Sequence, residues 1–214
     1  MHSSNDIRKV KCLDGLHYSF ELLKYNYLTM YESCLAIKRD RSNIIPALSK
    51  CWSFVDSVHR IREISQALPG LSGRSKELGA FLDATNIAED YRHYIQHLRE
   101  ELLKKDVNEF PVWGTLAWVD DEDNSVSHLV VIGAQIDGTQ YSGCVYDTVN
   151  NKWVSKVCLG VNKKSFNFDL IYEECIKFKE FVLPWVHSTY EPGIQMTNEP
   201  PIITIKLVFD SEEA

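Results

Sequence analysis

The sequence predicts an α+β protein. An all-α antiparallel helical bundle over residues 1–107 precedes a mainly antiparallel β-sheet module with one long helix over residues 108–214. Three observations carry this reading. Apolar residues recur at three- and four-residue steps through the first half, the signature of amphipathic helices. From Phe110 the chain turns to Val, Ile, Thr and aromatic residues, interrupted at regular intervals by turn signals. Charge divides at the same place. Residues 1–107 carry 16 Lys+Arg against 14 Asp+Glu, a net of +2, and residues 108–214 carry 7 against 16, a net of −9.

The first helix is predicted over residues 12–38, where Leu13, Leu16, Tyr18, Phe20, Leu23, Tyr27, Met30, Tyr31 and Cys34 recur at three- and four-residue steps. Lys38–Asn43 reads as a turn. A second helix is predicted over 44–68, with Ile44, Leu48, Trp52, Val55, Val58, Ile61 and Ile64 on one stripe. Pro46 fits its first turn, where the missing N–H costs little, and Pro69-Gly70 ends it. A third helical region is predicted over 74–105, opened by Ser72 or Ser75 and open to a break near Thr85-Asn86. Long amphipathic helices of this kind pack as antiparallel bundles. Strands are predicted near 111–119, 127–137, 140–147 and 152–159. They are separated by Asp120–Asn124, by the hairpin signal Asp137-Gly138 and by Asn150-Asn151. A helix is expected over 168–187, ended or kinked by Pro184. Ile202–Phe209 reads as a last strand.

Composition narrows the function classes. At 44% hydrophobic and 25% charged residues, the chain is globular rather than disordered. No window of about 18 residues is continuously apolar, so no membrane span is expected, and the polar opening argues against a secretory signal. The six cysteines include no Cys-x-x-Cys pair, which speaks against a zinc ribbon. The expectation is a cytoplasmic protein with reduced, buried thiols. Asp120-Asp121-Glu122-Asp123 lacks the spacing of a calcium loop and reads as a solvated hairpin tip. The acidic second half should repel a phosphate backbone, so contact with RNA, if made, belongs to the first half.

The chemistry-bearing stretch runs from Glu89 to Glu101. On a helix of about 100° per residue, Tyr91, Tyr94, Ile95, Leu98 and Leu102 share one face. Glu89, Arg92, His93, Gln96, His97 and Glu100 share the other. Arg92-His93-Tyr94-Ile95-Gln96-His97 resembles the motif of the HEPN superfamily, whose helical bundles carry an Arg and, four to six residues on, a His, often with a polar residue directly after the Arg. The resemblance covers residues 1–107 at most. It implies metal-independent endoribonuclease activity at a homodimer interface, defence- or toxin-related, with no cofactor. Within that implication, His97 moves protons while the RNA 2′-OH attacks the adjacent phosphate. Arg92 steadies the charged phosphorane by bidentate hydrogen bonds, and His93 orients the site.

Two other readings use the same face. In one, the helical scaffold is a non-catalytic interaction protein, with the C-terminal module offered to a protein partner. Arg92 then pairs with Glu89 or Gln96, and His97 with Glu100 or Glu101, as ordinary surface groups. In the other, Glu89, His93, His97 and Glu100 form a metal-binding stripe, joined by His17 and Glu21 or by His59 and Glu63. Tyr94 takes the place of the glutamate in a His-Glu-x-x-His hydrolase signature, which weighs against that chemistry.

Overall fold

In the computed structural model, which describes residues 4–71, 75–104, 109–189 and 202–205, the two predicted long helices form the frame. They are α1 (Ser4–Ala36) and α2 (Ile44–Ala67), joined by a 3-10 turn at Arg41–Asn43 whose N-cap, Asp40, accepts from the Ser42 amide. They run antiparallel. Gly15 sits so close to Ile64 that a Cβ there would lie 2.9 Å from the isoleucine Cδ1. Three shorter helices follow, α3 (Lys76–Ala84), α4 (Ile87–Gln96) and α5 (Leu98–Leu102). The long helix α6 (Phe168–Ser188) contains Pro184 without ending there, because it runs on for another turn.

The sheet is antiparallel, in the order β2-β1-β5-β6: β1 (Thr115–Val119), β2 (Ser127–Val131), β5 (Val157–Val161) and β6 (Lys164–Asn167). A separate two-stranded ribbon pairs β3 (Tyr146–Asp147) with β4 (Lys152–Trp153). All five residues of β1 and of β5 are buried, because the sheet is covered on both faces. Leu116, Trp118, Leu159 and Phe166 join the helical core on one face. On the other, the Thr115 hydroxyl donates to the Ser142 carbonyl at 2.8 Å, and Gly143 lies against Leu129 and Ala117. One buried cluster draws on both halves of the chain, so the division at 107/108 marks a change of secondary structure across which packing is continuous. Phe54 of α2, Phe166 of β6 and Phe168 of α6 meet at ring separations of 4.8–6.1 Å.

Several expectations are corrected. The helical region over 74–105 breaks at Thr85-Asn86, where its sequence allowed a break, and again at His97, which was not expected, so it forms three helices. Thr85 closes α3 by donating to the Phe81 carbonyl. His97 leaves helical geometry at φ −107, ψ 27, and helix resumes at Leu98. The strand expected from 111 begins at Thr115, since Gly114 adopts φ +81 and breaks the extended run. The strands expected over 127–137 and 140–147 shrink to β2 and to Tyr146–Asp147. Asp137-Gly138 does turn, with the Thr139 amide bonded to the Ile136 carbonyl, but it joins no ladder. The residues between lie on the sheet instead of extending it. The strand over 152–159 divides at Ser155, whose hydroxyl bonds Asp169. Asp120 is not at a solvated tip. Its side chain is 5% exposed, receives Lys38 at 2.5 Å and meets His128 at 2.6 Å, and these partners hold its carboxyl well below the usual carboxylate range. Of the last expected strand, 202–205 are described and exposed outside any strand, and 206–209 lie outside the described residues.

The β5–β6 hairpin went unread in the sequence. Val161 pairs with Lys164, and the two residues between them, Asn162 and Lys163, have φ +47 and +66. That is the pattern of a two-residue type I′ turn, which glycine fills at the second position without strain. Lys163→Gly is expected to stabilise the protein by about 0.5–1 kcal/mol, read as a rise in the urea midpoint at constant slope. An unchanged or lower midpoint would refute this view of the turn.

The six cysteines are free thiols, and burial raises the pKa of Cys34, Cys51 and Cys175 most. No helix among the described residues is long and apolar enough to cross a membrane.

Candidate functional site

Arg92 reaches into a cleft between α1, α2 and α4 with a volume of about 540 Å³. α2 supplies Asp56 and Arg60 one turn apart, so the two side chains meet on one face. Arg60 binds Asp56 through Nε at 2.7 Å and Nη2 at 2.6 Å. Arg92 binds the other oxygen of the same carboxylate. With its amide oxygen turned toward the guanidinium, Gln96 also accepts from Arg92, at 3.1 and 3.2 Å. One carboxylate therefore serves two guanidinium groups, and the cluster keeps an excess of one positive charge. The walls are Leu22 and Tyr25 of α1, Trp52 of α2 and Ile95 of α4. Lys50 stands over the Tyr25 ring, 4.1 Å from the centroid. The Trp52 indole N–H has no acceptor among the described residues. Partly open, cationic and flanked by aromatic faces, the cleft has the elements with which proteins hold an anionic, base-bearing chain.

Local packing explains why Arg92 points there. Its neighbour Tyr91 is buried, with the hydroxyl donating to the Leu159 carbonyl at 2.6 Å and to the Lys164 carbonyl at 2.9 Å. Burial drives its pKa far up, so it is a permanent donor. Tyr94, one turn on, donates to the Val112 carbonyl at 2.8 Å. With these two side chains pinned to the sheet module, the Arg92 side of α4 faces α2.

The imidazoles lie elsewhere. His93 borders a separate hollow of about 150 Å³ with Asp90, Glu101 and Lys164, where Lys164 and Asp90 are paired at 2.6 Å. His97, at the α4–α5 junction, lies against His93 with ring centroids 4.4 Å apart and the planes tilted by 34°, and meets Glu100 at 3.5 Å. Neither imidazole lines the Arg92 cleft. The structure thus brings His93 and His97 together and sets Arg92 apart from them within one chain.

The metal stripe is corrected. Glu89 faces α2, where it meets His59 Nδ1 at 2.9 Å and receives Arg62 Nε at 2.8 Å. It is thus drawn away from His93 and His97. Among the described residues, no group of three or more His, Cys, Asp or Glu is placed to hold a metal ion.

Asp56, Arg60, Trp52 and Tyr25 were not singled out as site residues in the sequence. The available signal was the Asp56/Arg60 pair at i,i+4 on the polar side of α2. No family model matches the chain, and no curated protein or solved structure matches it either.

Proposed function

We propose that this chain binds single-stranded RNA on a HEPN-like helical scaffold, through the cleft between α1, α2 and α4. The observation that supports this reading is the Arg60–Asp56–Arg92 cluster, two guanidinium groups on one carboxylate beside Tyr25 and Trp52. An incoming phosphate competes with Asp56 for guanidinium donors, which match its geometry bidentately. Bases stack on the aromatic walls. The net −9 of residues 108–214 confines contact to the helical half and disfavours broad, unselective binding.

A second reading, metal-independent cleavage by a homodimer, draws on the paired imidazoles of His93 and His97. Imidazole exchanges protons near neutral pH. Because Arg92 and His97 border different surfaces in one chain, this reading requires that a second protomer bring its His97 to the Arg92 cleft.

The test is fluorescence anisotropy with a labelled single-stranded RNA across a salt series. Arg92→Ala is expected to weaken binding about 10-fold and to lower the salt slope by about 1. Asp56→Asn frees both guanidinium groups and is expected to tighten binding. RNA affinity that ignores Arg92→Ala, or falls with Asp56→Asn, would overturn the cleft assignment. Product analysis in EDTA separates the second reading. Cleavage that drops about 10²–10⁴-fold in His97→Ala supports it, and intact RNA at saturating protein removes it.

A further inference from the structure

We propose that the cleft between α1, α2 and α4 reads one base of the strand it holds, adenine, through the side-chain amide of Asn26, a proposal that rests on the RNA reading of that cleft. Asn26 lines the cleft from α1 and is 6% exposed. Among the described residues its amide has no hydrogen-bond partner. Buried polar groups are nearly always bonded, and those of the facing helix α2 are. The Ser57 and Ser65 hydroxyls donate to the Ser53 and Ile61 carbonyls, and the Arg62 guanidinium has three acceptors. Asparagine is also a weak helix former. Nothing within the protein repays its place inside α1, and what it borders is a cleft open to a ligand.

Register sets Asn26 beside the aromatic walls and close to the guanidinium cluster. α1 and α2 run antiparallel with Gly15 against Ile64. Eleven residues further along α1 is Asn26, and eleven back along α2 is Ser53, which also lines the cleft. Trp52 is the residue before Ser53, and its indole N–H has no acceptor among the described residues. Asp56, which holds Arg60 and Arg92, stands three residues past Ser53, about 4.5 Å along the helix axis. A phosphate on the guanidinium groups and a base on Asn26 therefore fall within the span of one nucleotide.

A carboxamide offers an acceptor and a donor side by side in one plane. It matches a base edge that carries a donor next to an acceptor. Adenine carries such a pair on both edges that an unpaired strand leaves open, because its 6-amino group stands between N1 and N7. Of those two edges, the other three bases match the amide only on the Watson–Crick side. Guanine, the other purine, presents two acceptors on its Hoogsteen edge, which leave the amide oxygen unmatched, and Asn with adenine is a recurrent bidentate pairing. A purine also lays a larger face on Tyr25 and Trp52 than a pyrimidine does.

The test is fluorescence anisotropy with labelled oligouridylates of one length, carrying at the centre uracil, adenine, guanine, cytosine or unsubstituted purine, which lacks the 6-amino group. The adenine strand is expected to bind about 10-fold more tightly than each of the others. In Asn26→Leu, which keeps the size of the side chain and removes its polar atoms, that ratio is expected to fall to about 1. Equal affinity for all strands would overturn the proposal, as would tightest binding to another base. A purine strand bound as tightly as the adenine strand would overturn it too, as would an adenine preference that survives Asn26→Leu. The purine strand puts the question to the unaltered protein, so the answer does not depend on the folding of the leucine variant. If base preference is absent while Arg92→Ala weakens every strand alike, the RNA reading of the cleft stands without Asn26. Absence of binding by every strand removes both.

Discussion

Tyr91→Ala is expected to destabilise the protein by about 3–5 kcal/mol, the range for removing a buried aromatic ring. Tyr91→Phe is expected to cost about 1–3 kcal/mol, the range for a buried hydrogen-bonding group left unmatched. The ring is 2% exposed and packs edge-on against Phe166 at 5.2 Å and obliquely against Trp52 at 5.9 Å. Its hydroxyl crosses from α4 to two carbonyls on successive strands, Leu159 of β5 and Lys164 of β6. Losing the ring opens a cavity between helices and sheet. Losing only the hydroxyl removes the one proton that the two carbonyls share and leaves the buried Leu159 carbonyl short of that donor. Urea denaturation followed by circular dichroism separates the two variants. A Phe variant as stable as the parent would show that the hydroxyl bridge carries no weight. Because Arg92 is the next residue, the same bridge fixes which way the guanidinium points. The Phe variant should therefore bind RNA more weakly than its stability loss alone accounts for.

The frame was legible because its signals are local and long. The stripes of α1 and α2 repeat over many turns, and the buried residues Leu16, Phe20, Leu23, Val55, Val58 and Ile61 are the ones those stripes named. Residues 132–145 were misread because their Val, Ile and Tyr content favours a strand, while the tertiary contacts that decide the matter come from Thr115 and Gly160, distant in sequence. A Cβ on Gly160 would lie 1.9 Å from the Ser142 hydroxyl, so the loop can approach the sheet only at that glycine. The Asn162-Lys163 turn lacks the glycine that announces a type I′ hairpin. The kink at His97 has neither Gly nor Pro to betray it.

The site was half legible for related reasons. A helical wheel put Arg92 correctly on the polar face of α4. It also put His97 there, but only by assuming that the helix continues past Gln96, and it does not. The partner that gives Arg92 its setting, Asp56, stands 36 residues earlier on another helix. No pattern within one helix could reveal a carboxylate shared across two.

Arg62→Ala is expected to cost about 3–5 kcal/mol, the cost of breaking a buried ion pair by removing one partner. Arg62 is 6% exposed on α2. Its Nε donates to Glu89 at 2.8 Å, and its Nη1 donates to the Leu82 carbonyl at 2.5 Å and the Thr85 hydroxyl at 2.7 Å. One planar group thus ties α2 to the end of α3, to the α3–α4 turn and to the first turn of α4. Alanine empties that volume and strips three acceptors of a donor. Glu89 keeps His59 and is 36% exposed on its side chain, so solvent softens part of its loss and the lower end of the range is expected. The ion pair itself is isolated by a double-mutant cycle with Arg62→Leu and Glu89→Leu. If the charge pairing holds α4 in place, the double variant recovers at least about 1 kcal/mol relative to the sum of the singles, since apolar groups replace a buried pair more easily than they replace one partner. Strict additivity would mean that the Leu82 and Thr85 contacts, and not Glu89, anchor Arg62. Glu89→Leu should then leave the Arg92 cleft, and the RNA binding proposed for it, unchanged.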